Sequence, residues 1–555
     1  MSNPTSKNRN NTFFGGAAIL AAGIVIVKLI GALYKIPLGN ILGEAGFSDF
    51  NTAYYIYSLL ITVSTGGLPV ALSKMISEAH AMGRHNQVQK TFRVAFATFL
   101  ALGTISFCLM FFFPKQLAGL MNNAQSWYSI RALAPAIFFL CPLSALRGYF
   151  QGHSIMTPTA VSQIIEALCK LVVGLTLATI LLKSSNNESL AAAGAIFGVS
   201  VGCALGMLYT AFCFRTQRQN TPVGNDRTQS SKKIFRTLLQ LAIPITLGSS
   251  VIGLVNLIDT SMIYGRLQDG AGFTELQARS LKGVFDQAAT LYNLPSSFMV
   301  PITASIIPAV SAAQAVRNRK LGAQISETAL RTTALLAIPA GVGLFVLSQP
   351  IMRLLYPSTD VELGGWILSV LGLAVIFVCF MLVCNAIMQA NHLVTIPMIT
   401  TIIGCLFKLP INYVLVGNKN INIKGAPVST LVCFAIIAIL DLIIIKRTLP
   451  RSLSLFRAFA KPAIAAVVMG LAVWACYGLS SSILGGISAF QVVGADQVVG
   501  LSKVGNAVCT LFSVGVGGIV YLLLVVLLQA ISPQDLKFMP KGDKIGRLLR
   551  ITPAK

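Results

Sequence analysis

Two lysines lie inside the first long apolar run of the 555-residue chain. Lys28 and Lys35 are seven residues apart, with Gly31 between them, so all three positions share one helix face. An ammonium group in mid-bilayer costs about 2.5 kcal/mol or more. Two of them on one face repel each other unless that face lines a wet cavity or meets an anion. The pattern therefore predicts either a site for an anionic substrate or an internal ion pair.

Other apolar runs also contain charged residues. Lys74, near the end of the second run, could bind the same substrate or simply extend to the membrane interface. Glu166 and Lys170 are four residues apart, in the favourable order for a helical ion pair. They are therefore either a self-neutralised structural pair or part of a coupling site. Lys408 holds the matching position later in the chain, where Gly404 replaces the glutamate.

Three side chains are candidates for binding a coupling cation. Asn256 and Asp259 are three residues apart on one helix face, and Asp286 begins the eighth apolar run. A carboxylate inside a membrane is a reasonable site for protonation or for Na⁺. These positions predict H⁺ or Na⁺ as the coupling ion, bound at polar positions that line a cavity.

The elements that position these groups must be transmembrane helices. Hydrophobic residues make up 55% of the chain and charged residues 11%, whereas soluble proteins carry about 25% charged residues. Apolar runs of about 20 residues, long enough for the hydrocarbon core, recur along the sequence. We therefore predict an all-α polytopic membrane protein. The predicted spans are 13–42, 52–78, 91–113, 128–146, 159–182, 190–214, 237–265, 284–313, 330–348, 364–388, 396–416, 425–445, 462–480 and 505–530.

Several classes of function are disfavoured by the sequence. The eleven cysteines fall almost entirely in apolar runs without metal-ligand spacing, and the four histidines are dispersed. No phosphate loop, nucleophile elbow or paired-carboxylate motif is present, so we expect no catalytic residues, metal or cofactor. The predicted external loops are too short for a glycosyltransferase domain. The net charge of +25 lies in loops, so membrane topology explains it better than nucleic acid does.

The loop charges predict an orientation in the membrane. Alternate loops and the two tails carry 25 Lys and Arg residues, and the opposite loops carry 9. The positive-inside rule then places both termini in the cytoplasm. Asp441, at the inner end of the twelfth span, is expected to pair with Lys446 or Arg447.

An internal repeat divides the chain. Residues 151–170 (QGHSIMTPTAVSQIIEALCK) resemble residues 389–408 (QANHLVTIPMITTIIGCLFK) at a constant offset of 238. Six spans separate the two stretches, which predicts two six-helix lobes in parallel orientation, as in transporters that rock about a central cavity. The predicted parts are an N-tail (1–12), an N-terminal lobe (13–214), a basic linker (215–236), a C-terminal lobe (237–445), two extra helices (462–530) and a basic tail (531–555).

Three motifs carry a resemblance to a known family: KLIGALYKIPLGNILGEAGF (28–47), GLPVALSKMISEA (67–79) and SALRGYFQGHSIMTPTAVSQIIEALCKL (144–171). With the fourteen-span plan, they resemble the multidrug/oligosaccharidyl-lipid/polysaccharide exporter superfamily. Within it they are similar to the polysaccharide-transport branch, which contains stage V sporulation protein B and the Gram-positive MurJ-type lipid II flippases.

The resemblance implies a monomeric flippase in a bacterial plasma membrane. Its substrate would be an undecaprenyl-pyrophosphate-linked saccharide, most simply lipid II, moved among membrane lipids from the inner to the outer leaflet. Family members carry cations on spans one, two and eight. Lys28 matches the first of these. Span two has Ile61 and Thr62 where an arginine is expected, and no arginine stands near Thr290 in span eight. The alternatives are a cation-coupled drug exporter of the same superfamily and a flippase for another undecaprenyl-linked polysaccharide.

We predict that reporter fusions at Thr552 and near Gly270 localise to opposite sides of the membrane, with Thr552 in the cytoplasm. The reason is the excess of basic residues on the side of the termini. A phosphatase and a fluorescent reporter at each position measure this. Localisation of both positions on one side contradicts the predicted number of spans.

Overall fold

The structure is a computed structural model that describes residues 4–219, 226–315, 317–391, 393, 395–448, 455–487, 491–493 and 498–530. By internal contacts the chain divides into two compact units, Met1–Asp286 and Gln287–Lys555. The predicted basic tail, 531–555, lies outside the described residues, as does part of the predicted linker. The predicted six-helix lobes remain a prediction.

Helices account for nearly all of the described residues. The α-helices are α1 (Pro4–Thr65), α2 (Leu68–Ala81), α3 (His85–Phe112), α4 (Pro114–Leu120), α5 (Trp127–Gly152), α6 (Thr157–Ser185), α7 (Glu188–Gln219), α8 (Ser231–Gly265), α9 (Glu275–Ser297), α10 (Met299–Ala315), α11 (Arg319–Val346), α12 (Ser348–Leu355), α13 (Val361–Ala390), α14 (Ile396–Val416), α15 (Gly425–Thr448), α16 (Leu455–Gly485) and α17 (Lys503–Leu527). Short 3₁₀ turns are formed by Ala124–Ser126 and Asn422–Lys424, and a π-helical turn by Arg266–Gly270.

Eleven helical segments of the described residues are long and apolar enough to cross a membrane. The first, Ala22–Ala81, is 60 residues long and covers most of the first predicted span and all of the second. Its helix α1 is interrupted at Gly43, whose φ of 65° lies in the left-handed region that glycine adopts without steric cost. The chain is thus a multi-pass α-helical membrane protein, while the number fourteen remains a prediction.

Close helix packing through glycines holds the first unit together. A Cβ added at Gly198 of α7 would lie 2.6 Å from the backbone nitrogen of Gly174 in α6. One added at Gly202 would lie 2.8 Å from the carbonyl oxygen of Glu166. Helix α5, most of whose residues are buried, packs between α3 and α7. Backbones this close need small residues, which is the usual device for packing helices in lipid.

The second unit is built around α13. Its span has a mean hydropathy of 3.0 and is 67% buried, because α10, α11, α12 and α15 pack around it. Helices α16 and α17 pair with each other, and α16 also lies against α11. Before α17, the strands β1 (Gln491–Val493) and β2 (Val498–Leu501) form a small antiparallel ribbon that the sequence analysis did not predict.

The two repeated stretches form similar local structures. Helix α5 ends at Gly152 and α13 ends at Ala390, and each is followed within a few residues by another helix. Both α6 and α14 have a proline in the first turn, where its missing N–H costs no hydrogen bond. The local structures of the two stretches are therefore consistent with the repeat found in the sequence.

We predict that Gly283→Ala lowers the stability of the protein by about 1–3 kcal/mol. A Cβ at this position of α9 would lie 2.0 Å from the carbonyl oxygen of Glu44, so the backbone of α1 would have to move. Thermal unfolding in detergent measures the change. The matched control is Gly478→Ala in α16, where a Cβ meets nothing within 4 Å. Equal midpoints for the two variants would show that α1 and α9 do not approach this closely.

Candidate functional site

Three lysines come together in the first unit. Lys28 and Lys35 on α1 and Lys170 on α6 lie close enough to interact electrostatically, and we call them the lysine cluster. Lys28 is exposed, and the other two are half-buried. The sequence placed Lys28 and Lys35 on one face, and the packing of α6 against α1 adds Lys170 to them. The result is a concentration of positive charge within the apolar part of two spans.

Aromatic rings form one wall of the lysine cluster. The Nζ atom of Lys170 lies 4.7 Å from the ring centroid of Tyr54 and 5.0 Å from that of Tyr34. The Nζ atom of Lys35 lies 5.9 Å from the Tyr54 centroid and donates a long, 3.5 Å hydrogen bond to Oδ1 of Asn51. Cation–π contacts of this kind contribute about 0.5–2 kcal/mol each. They favour the ammonium groups without neutralising their charge.

Glu166 pairs with an arginine, which corrects the expected pair with Lys170. Nη2 of Arg147 on α5 lies 2.6 Å from Oε2 of Glu166, and Nε donates to Ser162 at 2.9 Å. The thiol of Cys203 on α7 donates to the other carboxylate oxygen at 3.1 Å. Arginine offers a planar group of donors that lysine lacks. Because Glu166 is paired with Arg147, the ammonium group of Lys170 lies against the aromatic rings instead.

Helix α9 supplies a cation that the sequence analysis missed. Nζ of Lys282 lies 2.5 Å from Oδ1 of Asp286, and both side chains are buried. Asp286 also interacts electrostatically with Lys35 of the lysine cluster and with Asp259 on α8. The four-residue spacing of Lys282 and Asp286 was the available signal, but position 282 lay just outside the predicted span.

A second buried ion pair lies in the same unit. Nε of Arg279 donates to Oδ1 of Asp49 at 2.9 Å, and Nη2 donates to its other oxygen and to Ser189. Ser189 and Asn123 also donate to the Asp49 carboxylate, at 2.7 and 3.1 Å. This pair joins α1, α7 and α9. Sequence analysis missed it because Arg279 fell in a predicted external loop and Asp49 between two predicted spans.

Three other candidate residues lie on helices that do not contribute to the lysine cluster. Lys74 on α2 has an exposed side chain and lies 3.9 Å from Glu78 in a surface ion pair. Asn256 is exposed on α8, and its carbonyl accepts the Thr260 hydroxyl at 2.8 Å. Lys408 belongs to the second unit, where it is buried in α14.

Three of the four histidines come closer together than their sequence positions indicate, and His392 lies outside the described residues. The ring of His80 lies 4.8 Å from that of His153 and 6.3 Å from that of His85, centroid to centroid. Burial, aided by these two neighbours, lowers the pKa of His153, so its ring is neutral at pH 7. Among the described residues, no group of three or more His, Cys, Asp or Glu side chains could hold a metal ion.

Comparison with known proteins identifies the family. A model described as "Polysaccharide biosynthesis protein" matches residues 13–314, more than half of the chain, and the MatE model matches residues 284–414. The chain belongs to the polysaccharide biosynthesis protein family. This family lies within the multidrug/oligosaccharidyl-lipid/polysaccharide exporter superfamily, so the resemblance read from the sequence motifs is confirmed.

Similar proteins of Bacillus subtilis (strain 168) match nearly the whole chain. The uncharacterized membrane protein YabM is 26% identical, with 96% of each chain covered. Stage V sporulation protein B is 26% identical over 97% of this chain and 99% of its own length. The lipid II flippase MurJ is 27% identical over 91% of this chain and 94% of its own length.

Solved structures show the same fold. A lipid II flippase MurJ in an inward closed conformation superposes with a TM-score of 0.66 at 16% identity, covering 92% of this chain and 98% of that one. An inward-facing MATE multidrug transporter superposes with a TM-score of 0.61 at 14% identity, covering 77% of this chain and 97% of that one. The chain therefore has the fold that these two structures share.

We predict that Glu166 is coupled much more strongly to Arg147 than to Lys170, which interacts with it electrostatically without forming an ion pair. A double-mutant cycle of Arg147→Ala with Glu166→Gln should give a coupling free energy of about 1–3 kcal/mol, because the ion pair is partly buried. Chemical unfolding in detergent measures it. The matched cycle, Lys170→Ala with Glu166→Gln, should be additive to within about 0.5 kcal/mol. A larger coupling in the second cycle would restore the helical pair expected from the sequence.

Proposed function

We propose that the protein is a flippase for an undecaprenyl-pyrophosphate-linked saccharide, lipid II, which it moves from the inner to the outer leaflet by alternating access. The observation that carries the proposal is the lysine cluster. The ammonium groups of Lys35 and Lys170 contact rings and an amide, and none of the five ion pairs found among the described residues includes a lysine of the cluster. Such an arrangement is suited to an anionic ligand.

The charge of the lysine cluster matches the proposed headgroup. A diphosphate carries several negative charges, and lysine binds phosphate oxygens as a compact point charge. Exposed Lys28 and half-buried Lys35 present positive charge about two turns apart on α1, and half-buried Lys170 adds a third charge from α6. A headgroup could therefore move along the lysine cluster while its charge remains compensated. The aromatic rings beside it suit the apolar faces of sugar rings.

The second unit contains a groove suited to a hydrocarbon chain. Its volume is about 460 Å³, and Tyr521 is the one lining residue with a polar side-chain atom. That hydroxyl donates to the carbonyl of Leu335 at 2.9 Å, so it is already satisfied. A groove with this lining offers nothing to a charged headgroup but accepts an isoprenoid tail. We propose the undecaprenyl chain of the substrate as its occupant.

We place the protein in a bacterial plasma membrane, with both termini in the cytoplasm. The relatives support a transporter in a bacterial plasma membrane, and the loop charges support cytoplasmic termini. Lipid-linked saccharides are assembled on the side where their nucleotide-activated precursors are found, so the substrate enters from the cytoplasmic leaflet. The protein acts as a monomer, and H⁺ or Na⁺ is the coupling ion.

A cation-coupled drug exporter is less well supported by the charges. Asp259 and Asp286 do interact electrostatically, as that function requires. However, Lys282 pairs with Asp286, and Lys35 also interacts with it. With the lysine cluster included, cations outnumber the acids in this region. A cavity of this sign repels the cationic drugs that such exporters carry.

We predict that Lys28→Ala and Lys170→Ala each lower flippase activity about tenfold or more, because each removes a charge-assisted contact with the diphosphate. Lys28→Arg should retain part of the activity, since it keeps the charge but changes the donor geometry. The assay is complementation of a flippase-depleted strain, together with measurement of lipid-linked peptidoglycan precursor at the outer face.

The matched control is Lys183→Ala, which removes an exposed lysine from the end of the same helix as Lys170. This variant should complement fully, and all variants should accumulate in the membrane to the wild-type level. Full complementation by Lys28→Ala and Lys170→Ala would refute anion binding by the lysine cluster. Resistance to cationic dyes without any effect on the precursor would favour the drug exporter.

A further inference from the structure

A carboxyl group in the second unit lacks the partner that the sequence predicts for it. Asp441 lies on α15, is fully buried, and makes no ion pair with Lys446 or Arg447, which are exposed on the next turns. Neither oxygen of its carboxyl group has a hydrogen-bond partner among the described residues. Each of the acids in the five ion pairs, by contrast, lies within 4 Å of a lysine or arginine nitrogen.

The surroundings of Asp441 are short of hydrogen-bond donors. Thr400 on α14 and Cys384 on α13 lie beside the carboxyl group, at the place where α13, α14 and α15 meet. The Thr400 hydroxyl is near enough to interact with the carboxyl group, but in the structure it donates to the carbonyl of Pro397 at 3.2 Å. The Cys384 thiol is a weak donor on a fully buried side chain.

The charged residue of α14 lies too far along the helix to compensate Asp441. Lys408 is eight residues beyond Thr400, which corresponds to about 12 Å along the helix axis. The intervening level is filled by Gly404, where an added Cβ would lie 2.4 Å from Ile437 of α15. Asp441 therefore faces a hydroxyl, a thiol and apolar side chains, with no compensating cation among the described residues.

An ionised carboxylate is not stable in these surroundings. Burial of an isolated charge without donors costs far more than taking up a proton from water. We propose that Asp441 is a proton-binding site of the second unit. It holds a proton while α13, α14 and α15 are packed together, and it releases that proton to water when the helices separate. Bound Na⁺ would need several oxygen ligands, which these neighbours do not supply.

This inference extends the proposed function by naming a residue through which a proton gradient could drive the conformational cycle. Uptake of the proton neutralises the carboxyl group and permits its burial, while release favours the hydrated, separated arrangement. Only the O–H bond of the carboxyl group forms and breaks, and water accepts the proton. The site itself does not depend on which substrate the protein carries.

Infrared difference spectroscopy of the full-length protein in lipid nanodiscs tests the proposal. The wild-type minus Asp441→Asn spectrum at neutral pH should contain the carbonyl band of one protonated carboxylic acid, with the shift in D₂O that such a group shows. The matched control is Glu327→Gln, which removes a carboxylate already paired with Arg331 at 3.0 Å. Its difference spectrum should contain carboxylate bands and no acid band.

A second variant keeps the test independent of the folding of Asp441→Asn. Thr400→Val removes the hydroxyl beside the carboxyl group and should shift the same acid band without abolishing it. Carboxylate bands assigned to Asp441 at neutral pH, with or without added Na⁺, would overturn the proposal. Because the readout contains no lipid substrate, its failure is distinguishable from failure of the flippase assay.

Discussion

Transfer of an ionised side chain from water into a low-dielectric interior costs several kcal/mol, and this cost accounts for where the chain places its charges. Asp49 illustrates the consequence: two nitrogens of Arg279, one hydroxyl and one amide donate to its carboxylate. Four donors around one carboxylate offset most of the lost hydration. The pair also joins helices that are far apart in sequence, so the local packing of the first unit depends on it.

The same constraint makes the lysine cluster informative. Where carboxylates such as Glu166 and Asp286 occur nearby, each already has a nearer cation, Arg147 or Lys282. Lys35 and Lys170 of the cluster lie against aromatic rings, which stabilise a cation by about 0.5–2 kcal/mol. A concentration of positive charge with only this much compensation is suited to a ligand that brings its own negative charge. We interpret the arrangement as a preformed binding site for the diphosphate of the proposed substrate.

The second unit differs from the first in the surroundings of its buried polar groups. Its described spans are on average more apolar, and the most apolar of them, α13, has a mean hydropathy of 3.0. Asp441 is there without a cation, and an apolar groove lies among helices of the same unit. Such apolar surroundings favour the protonated, neutral form of a carboxyl group, and they favour a hydrocarbon over a charged ligand. The chemical character of the two units therefore differs, although both are helical.

The sequence by itself determined the class of the protein, because backbone hydrogen bonding in lipid permits little besides helices for apolar runs of this length. It also placed Lys28 and Lys35 on one face, since that depends only on helical periodicity. Only the tertiary structure decided which charges meet. Glu166 takes Arg147, 19 residues away, rather than Lys170 on its own helix, and Arg279 finds Asp49 at a separation of 230 residues. Such choices depend on how helices pack, which local spacing does not contain.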